Sequence, residues 1–268
     1  MTTLIGWLAV DNRGPSSLYF AADSRFTWPP TVTWDYGRKL FASRVQPVLL
    51  GYFGDVMFAS HAVGQALDLI DAGFLHPMEA SPATRIAALE AFLRDSLQSY
   101  PRSQQREFGV VYAWRRGSNM EASFSVAELR WSPLAGWSRH FPVLPTEPAV
   151  IIALGSGREY FASPYRRWKD SEAGRTSRAV YSAFCDHLAS NADLYTGGPP
   201  QLVALYRTGS AITFGVIYSG ARWLSGARVP DGPTSEDVEW RDELFQRCDG
   251  ETMAPRPGSQ RHARPRGA

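Results

Sequence analysis

A threonine directly after the initiator methionine is the first residue of this chain that could do chemistry. Removal of Met1 would leave Thr2 with a free α-amine beside its own hydroxyl. A threonine hydroxyl is a weak nucleophile until a base takes its proton. An N-terminal amine, with an unperturbed pKa of about 7.7–8, is a base that the chain itself carries. Many chains begin with Met-Thr for no catalytic reason, so Thr2 by itself only raises the hypothesis of an N-terminal nucleophile.

Lys39 is the second residue with suggestive chemistry. Of the 28 basic residues, only Lys39 and Lys169 are lysines, and the others are arginines. A buried lysine can shift its pKa and exchange a proton, whereas a guanidinium keeps its charge. Two lysines must fall somewhere, but a lysine in so arginine-rich a chain is a candidate for chemistry that needs an amine.

The composition is that of a folded protein with no evident polyanionic or membrane partner. The chain has 268 residues, of which 44% are hydrophobic and 20% charged, and its formal net charge is +2. This balance predicts neither nucleic-acid nor membrane binding, and the longest apolar runs are far shorter than a bilayer span. The pattern of a signal peptide is missing, and Cys185 and Cys248 make no disulfide framework, so we expect a cytoplasmic protein.

No cofactor is expected from the sequence. The histidines show no metal-ligand spacing, and the chain has no glycine-rich loop of the kind that holds phosphate. From Gly250 onward the chain is rich in Arg, Pro, Gly and Ser and almost devoid of apolar residues, which predicts disorder. Such a tail could touch an acidic partner, although it is more often simply solvated.

The apolar pattern alternates between runs of strands and pairs of helices. Strands are predicted over Leu4–Val10, Leu18–Asp23, Gly37–Ser43, Val48–Phe53, Phe108–Trp114, Ala122–Trp131, Gly136–Phe141, Val150–Leu154, Gln201–Arg207 and Ala211–Tyr218. Helices are predicted over about residues 60–72, from the N-cap Ser81 to a stop before Pro101, after Gly157, over 176–190 and over 235–248.

This order favours an α+β fold, a four-layer αββα sandwich of two antiparallel sheets flanked by helix pairs. A doubly wound sheet would need single helices between single strands, which the pattern does not supply. We expect one domain over residues 2–249 and a disordered Arg/Pro-rich tail over 250–268.

With Thr2 at the head of this element order, the chain resembles the proteasome β-subunits of the N-terminal-nucleophile hydrolase superfamily. It is similar also to the simpler bacterial peptidase that works under an ATP-driven unfoldase. The resemblance covers roughly residues 2–245, and its motifs stand at the matching element boundaries. These motifs are Thr2-Thr3-Leu4-Ile5, Ala21-Ala22-Asp23-Ser24-Arg25, Gly37-Arg38-Lys39-Leu40, Gly51-Tyr52-Phe53-Gly54, Gly155-Ser156-Gly157 and Asp193-Leu194-Tyr195-Thr196-Gly197-Gly198.

The resemblance implies a threonine peptidase and assigns a role to each matching residue. Thr2 is the implied nucleophile, Lys39 stabilises its alkoxide character, and Asp23 holds Lys39 in place. The Gly54 N–H is the implied oxyanion donor. The Thr2 amine is the implied general base.

Three further residues complete the implied site. Ser156 would hold a water through which the amine acts, and Asp193 and Thr196 would orient the amine and Ser156. Thr196 stands where the family usually has serine, which keeps the hydroxyl. The implied reaction is acyl transfer from a peptide to a threonine ester, followed by hydrolysis.

Departures from the family pattern concern the substrate groove. Asp55 follows Gly54 where the family often has a second glycine, which predicts a carboxylate near the groove. The segment Phe26–Tyr36, with Trp28, Pro29, Pro30 and Trp34, is unusually bulky for a loop that lines this groove. We therefore predict that Phe26, Tyr52 and Asp55 contact substrate, and that the natural substrate cannot be inherited from the family.

The resemblance also implies a homo-oligomeric ring that encloses the site, and a possible ATP-dependent unfoldase as partner. Two alternatives stay open at this point. One is a structural or regulatory subunit that keeps the fold without activity, against which the intact Thr2, Asp23 and Lys39 set argues. The other is a hydrolase of small amides on the same fold, which an open monomer or dimer in solution would favour.

Overall fold

The structure is a computed structural model that describes residues 2–28, 32–261 and 263–265. Met1, Pro29 and Pro30, on which some of the predictions rest, lie outside the described residues. The described helices are α1 (Met57–Asp71), α2 (Pro82–Ser99), α3 (Arg158–Lys169) and α4 (Ser177–Ser190). The described strands are β1 (Leu4–Asp11), β2 (Gly14–Ala22), β3 (Phe26–Trp28), β4 (Val32–Trp34), β5 (Leu40–Ala42), β6 (Val48–Gly54), β7 (Phe108–Arg116), β8 (Ser123–Ser132), β9 (Gly136–His140), β10 (Ala149–Leu154), β11 (Gln201–Tyr206), β12 (Ile212–Thr213), β13 (Gly215–Tyr218), β14 (Ala221–Leu224), β15 (Ala227–Arg228), β16 (Trp240–Asp242) and β17 (Arg247–Cys248).

Two antiparallel sheets carry most of the chain. The first has the strand order β10-β1-β2-β11-β12 and the second the order β5-β6-β7-β8-β9. Every strand of both sheets overlaps a predicted strand, and the predicted antiparallel pairing is confirmed. The mixed α/β class with several antiparallel sheets is therefore confirmed as well.

Successive side chains of a strand point to opposite faces of its sheet, so the two faces of each sheet pack in different parts of the core. In β6, Leu49 packs against β1 and β2 residues such as Leu4 and Phe20, in a cluster shared by the two sheets. Its neighbour Leu50 lies in a second cluster, with α1 and α2. Trp7 of β1 lies in a third cluster, with α3 and α4. None of the helices in the described part of the chain has the length and apolarity that crossing a bilayer requires.

The helix boundaries follow local capping signals. Ser81 Oγ accepts a hydrogen bond from Thr84 N over 3.1 Å, and Pro82 occupies the first turn of α2, as the sequence predicts. Thr176 caps α4 in the same way, through Ala179 N at 3.2 Å. α4 ends at Asn191, whose φ of 49° is the left-handed conformation common at helix C-termini.

The predicted helix over residues 235–248 is wrong. Trp240–Asp242 instead forms β16, which pairs in parallel with β13, and β17 pairs back onto β16. These strands belong to a third sheet with the order β15-β14-β13-β16-β17. Trp240 and Cys248 are buried together with Ile217, so a tertiary contact with β13 overrides the local helical preference.

Part of the C-terminal segment, for which disorder is predicted, has contacts in the structure. Cys248 forms a β-bridge with Pro255, and Arg256 N donates to Arg247 O over 2.8 Å. Further along, Arg264 forms an ion pair with Asp186 of α4. These contacts link Pro255, Arg256 and Arg264 to the preceding part of the chain, and disorder of the tail stays a prediction.

Candidate active site

The antiparallel ladder places the start of β1 beside the end of β2. Leu4 and Ala22 face each other, so the residues just beyond them also meet. The Asp23 N–H donates to the Thr3 carbonyl over 3.2 Å, and the Thr3 N–H donates to Asp23 Oδ1 over 3.0 Å. The residue directly after Thr2 is therefore bound to the predicted acidic residue of the site.

Asp23 and Lys39 form a buried ion pair. Lys39 Nζ donates to Asp23 Oδ1 over 2.7 Å, and neither side chain has any solvent exposure. The other carboxylate oxygen accepts hydrogen bonds from the N–H groups of Arg25 and Gly197, each at 3.1 Å. Burial lowers the pKa of Lys39 below its ordinary value, while the Asp23 charge opposes that shift. The site thus holds a fixed ammonium that gives up its proton more readily than an exposed lysine would.

Gln201, at the start of β11, holds the segments that carry this pair. Its Oε1 accepts hydrogen bonds from Lys39 N at 3.0 Å and Leu40 N at 3.3 Å. Its Nε2 donates to Asp23 O at 3.2 Å, and to Ser24 Oγ and Gly37 O at 2.8 Å each. The sequence analysis missed Gln201. The available signal was an amide side chain at the head of an otherwise apolar strand.

Thr2 is fully buried directly beside this group of residues, and its hydroxyl has no hydrogen-bond partner among the described residues. The Gly155 backbone packs closely against the Thr2 backbone. A Cβ at Gly155 would lie 1.7 Å from the Thr2 carbonyl oxygen, and the φ of +86° also favours glycine. Buried hydroxyls are nearly always hydrogen-bonded, because desolvation is otherwise uncompensated. The Thr2 hydroxyl is therefore an exception that invites a chemical explanation.

Ser156, Asp193 and Thr196 lie together, and their hydrogen bonds lead to the side chain of Thr3, while their predicted action on the Thr2 amine stays a prediction. Asp193 Oδ2 accepts hydrogen bonds from Thr196 Oγ1 at 2.7 Å and from Ser156 Oγ at 3.4 Å. Thr196 Oγ1 lies 2.9 Å from Thr3 Oγ1. Gly157 fits closely here, since a Cβ would lie 1.9 Å from Thr3 Oγ1.

His187 of α4 is a second residue that the sequence analysis missed. Its Nε2 lies 3.3 Å from Thr3 Oγ1, and the residue is only 2% exposed. Burial lowers its pKa, against the opposing charges of Asp23 and Asp193. Nδ1 has no hydrogen-bond partner among the described residues. The sequence analysis tested histidines only for metal spacing, and a single histidine in a helix has no local signature of this kind.

Gly54 lies at the opening of the site. The Tyr52 N–H donates to Lys39 O at 3.2 Å and the Asp55 N–H donates to Glu107 O at 2.9 Å, so successive N–H groups point to opposite edges of β6. The Gly54 N–H, two residues after Tyr52, is thereby directed to the Lys39 side. With a φ of +88° and a notional Cβ only 2.6 Å from Glu107 O, this position requires glycine.

A cavity of about 360 Å³ opens at Gly54 and Ser156. Gly155, whose backbone packs against the Thr2 backbone, also lines this cavity. Phe53 and Arg158 add an apolar and a cationic side chain to the wall. The cavity has room for a few substrate groups next to the predicted oxyanion donor.

The bulky segment after Asp23 forms the hairpin β3–β4, which the sequence analysis did not predict. Phe26 is buried, and its ring centroid lies 5.9 Å from Lys39 Nζ. Three more rings continue the row towards the surface. The distances between successive ring centroids are 5.5 Å for Phe26 to Trp34, 6.1 Å for Trp34 to Tyr36, and 5.9 Å for Tyr36 to Trp223. An aromatic row therefore leads from the buried lysine to the surface, and substrate contact by Phe26 stays a prediction.

Tyr52 and Asp55 have structural partners of their own. Tyr52 has no solvent exposure, packs in the core against α1 and α2, and donates its hydroxyl to Arg38 O at 2.7 Å. Asp55 is half-buried, and its Oδ2 accepts a hydrogen bond from Phe58 N at 2.9 Å at the start of α1. Tyr52 thus lies in the core rather than on an open groove, and substrate contact by Asp55 stays a prediction.

Comparison with known proteins finds structural relatives only. Neither a protein-family model nor a curated protein sequence matches the chain. The Anbu complex of Pseudomonas aeruginosa, described as a helical assembly, is similar with a TM-score of 0.55 and 13% identity over 82% of this chain and 86% of that chain. Anbu (ancestral beta-subunit) from Yersinia bercovieri gives a TM-score of 0.52 and 12% identity over 76% of this chain and 81% of its own. HslV from Trypanosoma brucei also matches, with a TM-score of 0.46 and 13% identity over 76% of this chain and 99% of that chain.

The chain thus shares its fold with proteasome-like β-subunits. The Anbu similarities confirm the predicted resemblance at the level of fold. At this identity they carry over neither activity nor assembly.

Proposed function

We propose that this protein is a threonine-type N-terminal-nucleophile hydrolase that cleaves peptide bonds once Met1 has been removed. One observation carries the proposal. The buried Asp23–Lys39 pair is hydrogen-bonded to Thr3, and the preceding Thr2 holds a buried hydroxyl without a partner among the described residues. Unpaired polar groups and perturbed lysines are costly, and such groups concentrate at functional sites.

Proton transfer in the proposed site uses the mature N-terminus. The Thr2 amine takes the hydroxyl proton, directly or through a water held by Ser156, while the Thr2 oxygen attacks the substrate carbonyl carbon. The Lys39 ammonium stabilises the negative charge that grows on the Thr2 oxygen. Asp23 keeps the ammonium oriented without taking part in the proton transfer.

The Gly54 N–H stabilises the negative charge that develops on the substrate. As the tetrahedral intermediate forms, the carbonyl oxygen becomes an oxyanion, which the Gly54 N–H stabilises by about 3 kcal/mol in sites of this type. The C–N bond then breaks, the leaving amine takes the proton from the Thr2 ammonium, and an ester remains on Thr2. A water then gives a proton to the Thr2 amine, and its oxygen attacks the ester carbon. The bond from that carbon to the Thr2 oxygen breaks, the carboxylic acid product leaves, and the Thr2 oxygen takes the proton back from the Thr2 ammonium.

The proposal includes the layer architecture of the fold and the association of several copies of the protein. The three clusters shared by the sheets and helix pairs support an αββα sandwich. We also propose that copies associate in a homo-oligomeric ring that encloses the site. The helical assembly of the Anbu complex supports association between copies of this fold. An unfoldase that delivers polypeptides to the enclosed site would be consistent with it.

The decisive experiment varies only the N-terminus. A cleavable fusion is processed to leave either Thr2 or Gly-Thr2 as the first residue, and both proteins are assayed on casein and on a fluorogenic peptide library. We expect activity only with Thr2 exposed. A β-lactone probe should acylate Thr2, located by peptide mapping, and Thr2→Ser should keep part of the activity that Thr2→Ala loses.

The outcomes separate the alternatives. Equal activity of the two N-terminal forms, or full activity of Thr2→Ala, would overturn the mechanism. Inactivity of all forms, with no probe adduct, would favour the silent subunit. Turnover of small amides but not of peptides would move the assignment to the metabolite hydrolase.

A further inference from the structure

Thr3 is held at four points. Its N–H and carbonyl bond to Asp23, and its hydroxyl contacts Thr196 at 2.9 Å and His187 Nε2 at 3.3 Å. The side-chain contacts come from two different parts of the chain, α4 and the loop after it. Thr3, Thr196 and His187 are each at most 2% exposed, so solvent does not compete for these bonds.

A nucleophile at a chain terminus has a positioning problem, which arises here under the proposed function. Chain ends fray unless they are tied down. Once Met1 is removed, no preceding residue holds Thr2, so its backbone position depends on Thr3. The contacts that fix Thr3 therefore also fix the attacking hydroxyl.

Asp193 lies at one end of a series of hydrogen bonds that runs through Thr196 and Thr3, and it sets their donor-to-acceptor direction. The Asp193 carboxylate can only accept, so Thr196 donates to it. Thr196 has then used its single proton, so the Thr3 hydroxyl must donate to Thr196. The remaining contact requires that His187 donate from Nε2 to Thr3 Oγ1. A neutral His187 must therefore carry its proton on Nε2, with Nδ1 unprotonated.

We propose that His187 is a positioning residue for the nucleophile, acting through Thr3. Its Nε2–H fixes the Thr3 side chain against α4, while the 193–196 loop fixes it from the other side. The charged groups that act on the imidazole are Asp23 and Asp193. The neutral Nε2–H form leaves Nδ1 without a proton, so the atom that has no partner among the described residues is an acceptor and not a donor.

Two matched pairs of variants test the positioning. Thr3→Val and His187→Leu remove the hydrogen bond with little change of shape, whereas Thr3→Ser and His187→Gln keep a hydroxyl and an N–H. We expect the first pair to lower kcat by roughly tenfold to a hundredfold with little change in KM, as for a misplaced reacting group. The second pair should recover most of that loss. The double variant Thr3→Val/His187→Leu should be no slower than the worse single variant, because the bond is already broken.

Two readouts do not depend on activity. Nitrogen-15 spectra of histidine-labelled protein at pH 7 should show His187, assigned by its loss in His187→Gln, as the neutral Nε2–H tautomer. In threonine-methyl-labelled protein, the Thr2 methyl should become more mobile in His187→Leu and Thr3→Val, but not in His187→Gln. If the wild type proves inactive, the proposed function fails, while these spectra still decide the positioning. A protonated or Nδ1–H imidazole, an unchanged Thr2 methyl, or multiplicative kinetic losses would each overturn the inference.

Discussion

Replacing Asp23 by asparagine tests the buried ion pair most directly. Each carboxylate oxygen accepts two hydrogen bonds: Oδ1 from Thr3 N and Lys39 Nζ, and Oδ2 from Arg25 N and Gly197 N. In Asp23→Asn, one of the two oxygens becomes an NH₂ group that faces two donors. The substitution also removes the negative charge opposite the Lys39 ammonium, and both side chains have no exposure to solvent that could compensate.

The magnitude follows from these contacts. Removal of one partner of a buried pair typically costs about 3–5 kcal/mol, a large part of a usual unfolding free energy of about 5–15 kcal/mol. Lys39→Met should cost less, about 1–3 kcal/mol, because the remaining carboxylate keeps three backbone N–H donors. The double variant should be more stable than the sum of the two losses predicts, with a coupling of about 0.5–3 kcal/mol.

Equilibrium urea unfolding followed by tryptophan fluorescence measures all four proteins, at low and at high salt. Because the pair is fully buried, added salt should leave the coupling unchanged. The reasoning is refuted if Asp23→Asn costs less than about 1 kcal/mol, as a surface substitution would, or if the two single losses simply add.

Three further predictions concern neighbouring residues. Gly54→Ala should lower kcat by about a hundredfold to a thousandfold, the effect of losing one oxyanion donor. Its Cβ would lie 2.6 Å from Glu107 O and force the backbone to shift, and steady-state kinetics with a normal kcat would contradict the oxyanion assignment. Gln201→Leu should lower the unfolding free energy by about 2–4 kcal/mol, since it leaves several buried polar groups without partners, and a urea midpoint equal to that of the wild type would contradict this. His187 has a lowered pKa, so below about pH 6.5 the unfolded state binds a proton that the folded state does not, and stability falls as the pH falls. Relative to His187→Gln, the wild type should therefore lose up to about 1.4 kcal/mol per pH unit in that window, and parallel stability curves would exclude the effect.

Residues at the ends of strands were the most predictable part of the site. Asp23 and Lys39 each stand at the boundary of an apolar run, and such boundaries gather at the edges of sheets. Turn residues and alternation mark those boundaries locally. The grouping of Asp23 and Lys39 beside Thr2 was implied by the family resemblance, and the contact of Asp23 with Thr3 emerges only from the structure. Glycines gave similar guidance, because Gly54 and Gly155 have backbone conformations that few other residues adopt.

The roles of the residues that were not predicted depend on contacts between positions far apart in the sequence. Gln201 bonds to Lys39 across 162 positions, and His187 reaches Thr3 across 184. Beyond the position of Gln201 at the head of an apolar strand, no local pattern distinguishes an amide or imidazole that will bind a distant residue from one that faces solvent. The wrong helix over 235–248 has the same cause, since Trp240 takes its conformation from the distant strand β13.

The two polar clusters of the site meet at Thr3, and their combined cost argues for chemistry over a silent scaffold. Asp23, which is held by Lys39 and Gln201, binds the backbone of Thr3, while His187 and the 193–196 loop hold its side chain. A protein selected only to maintain a sheet edge gains no evident stability from a fully buried lysine, because apolar residues of similar volume are often at least as stabilising there. Local features that work against stability persist where function requires them. In this chain several of them lie around Thr3, the neighbour of a buried threonine hydroxyl that has no hydrogen-bond partner in the described part of the chain.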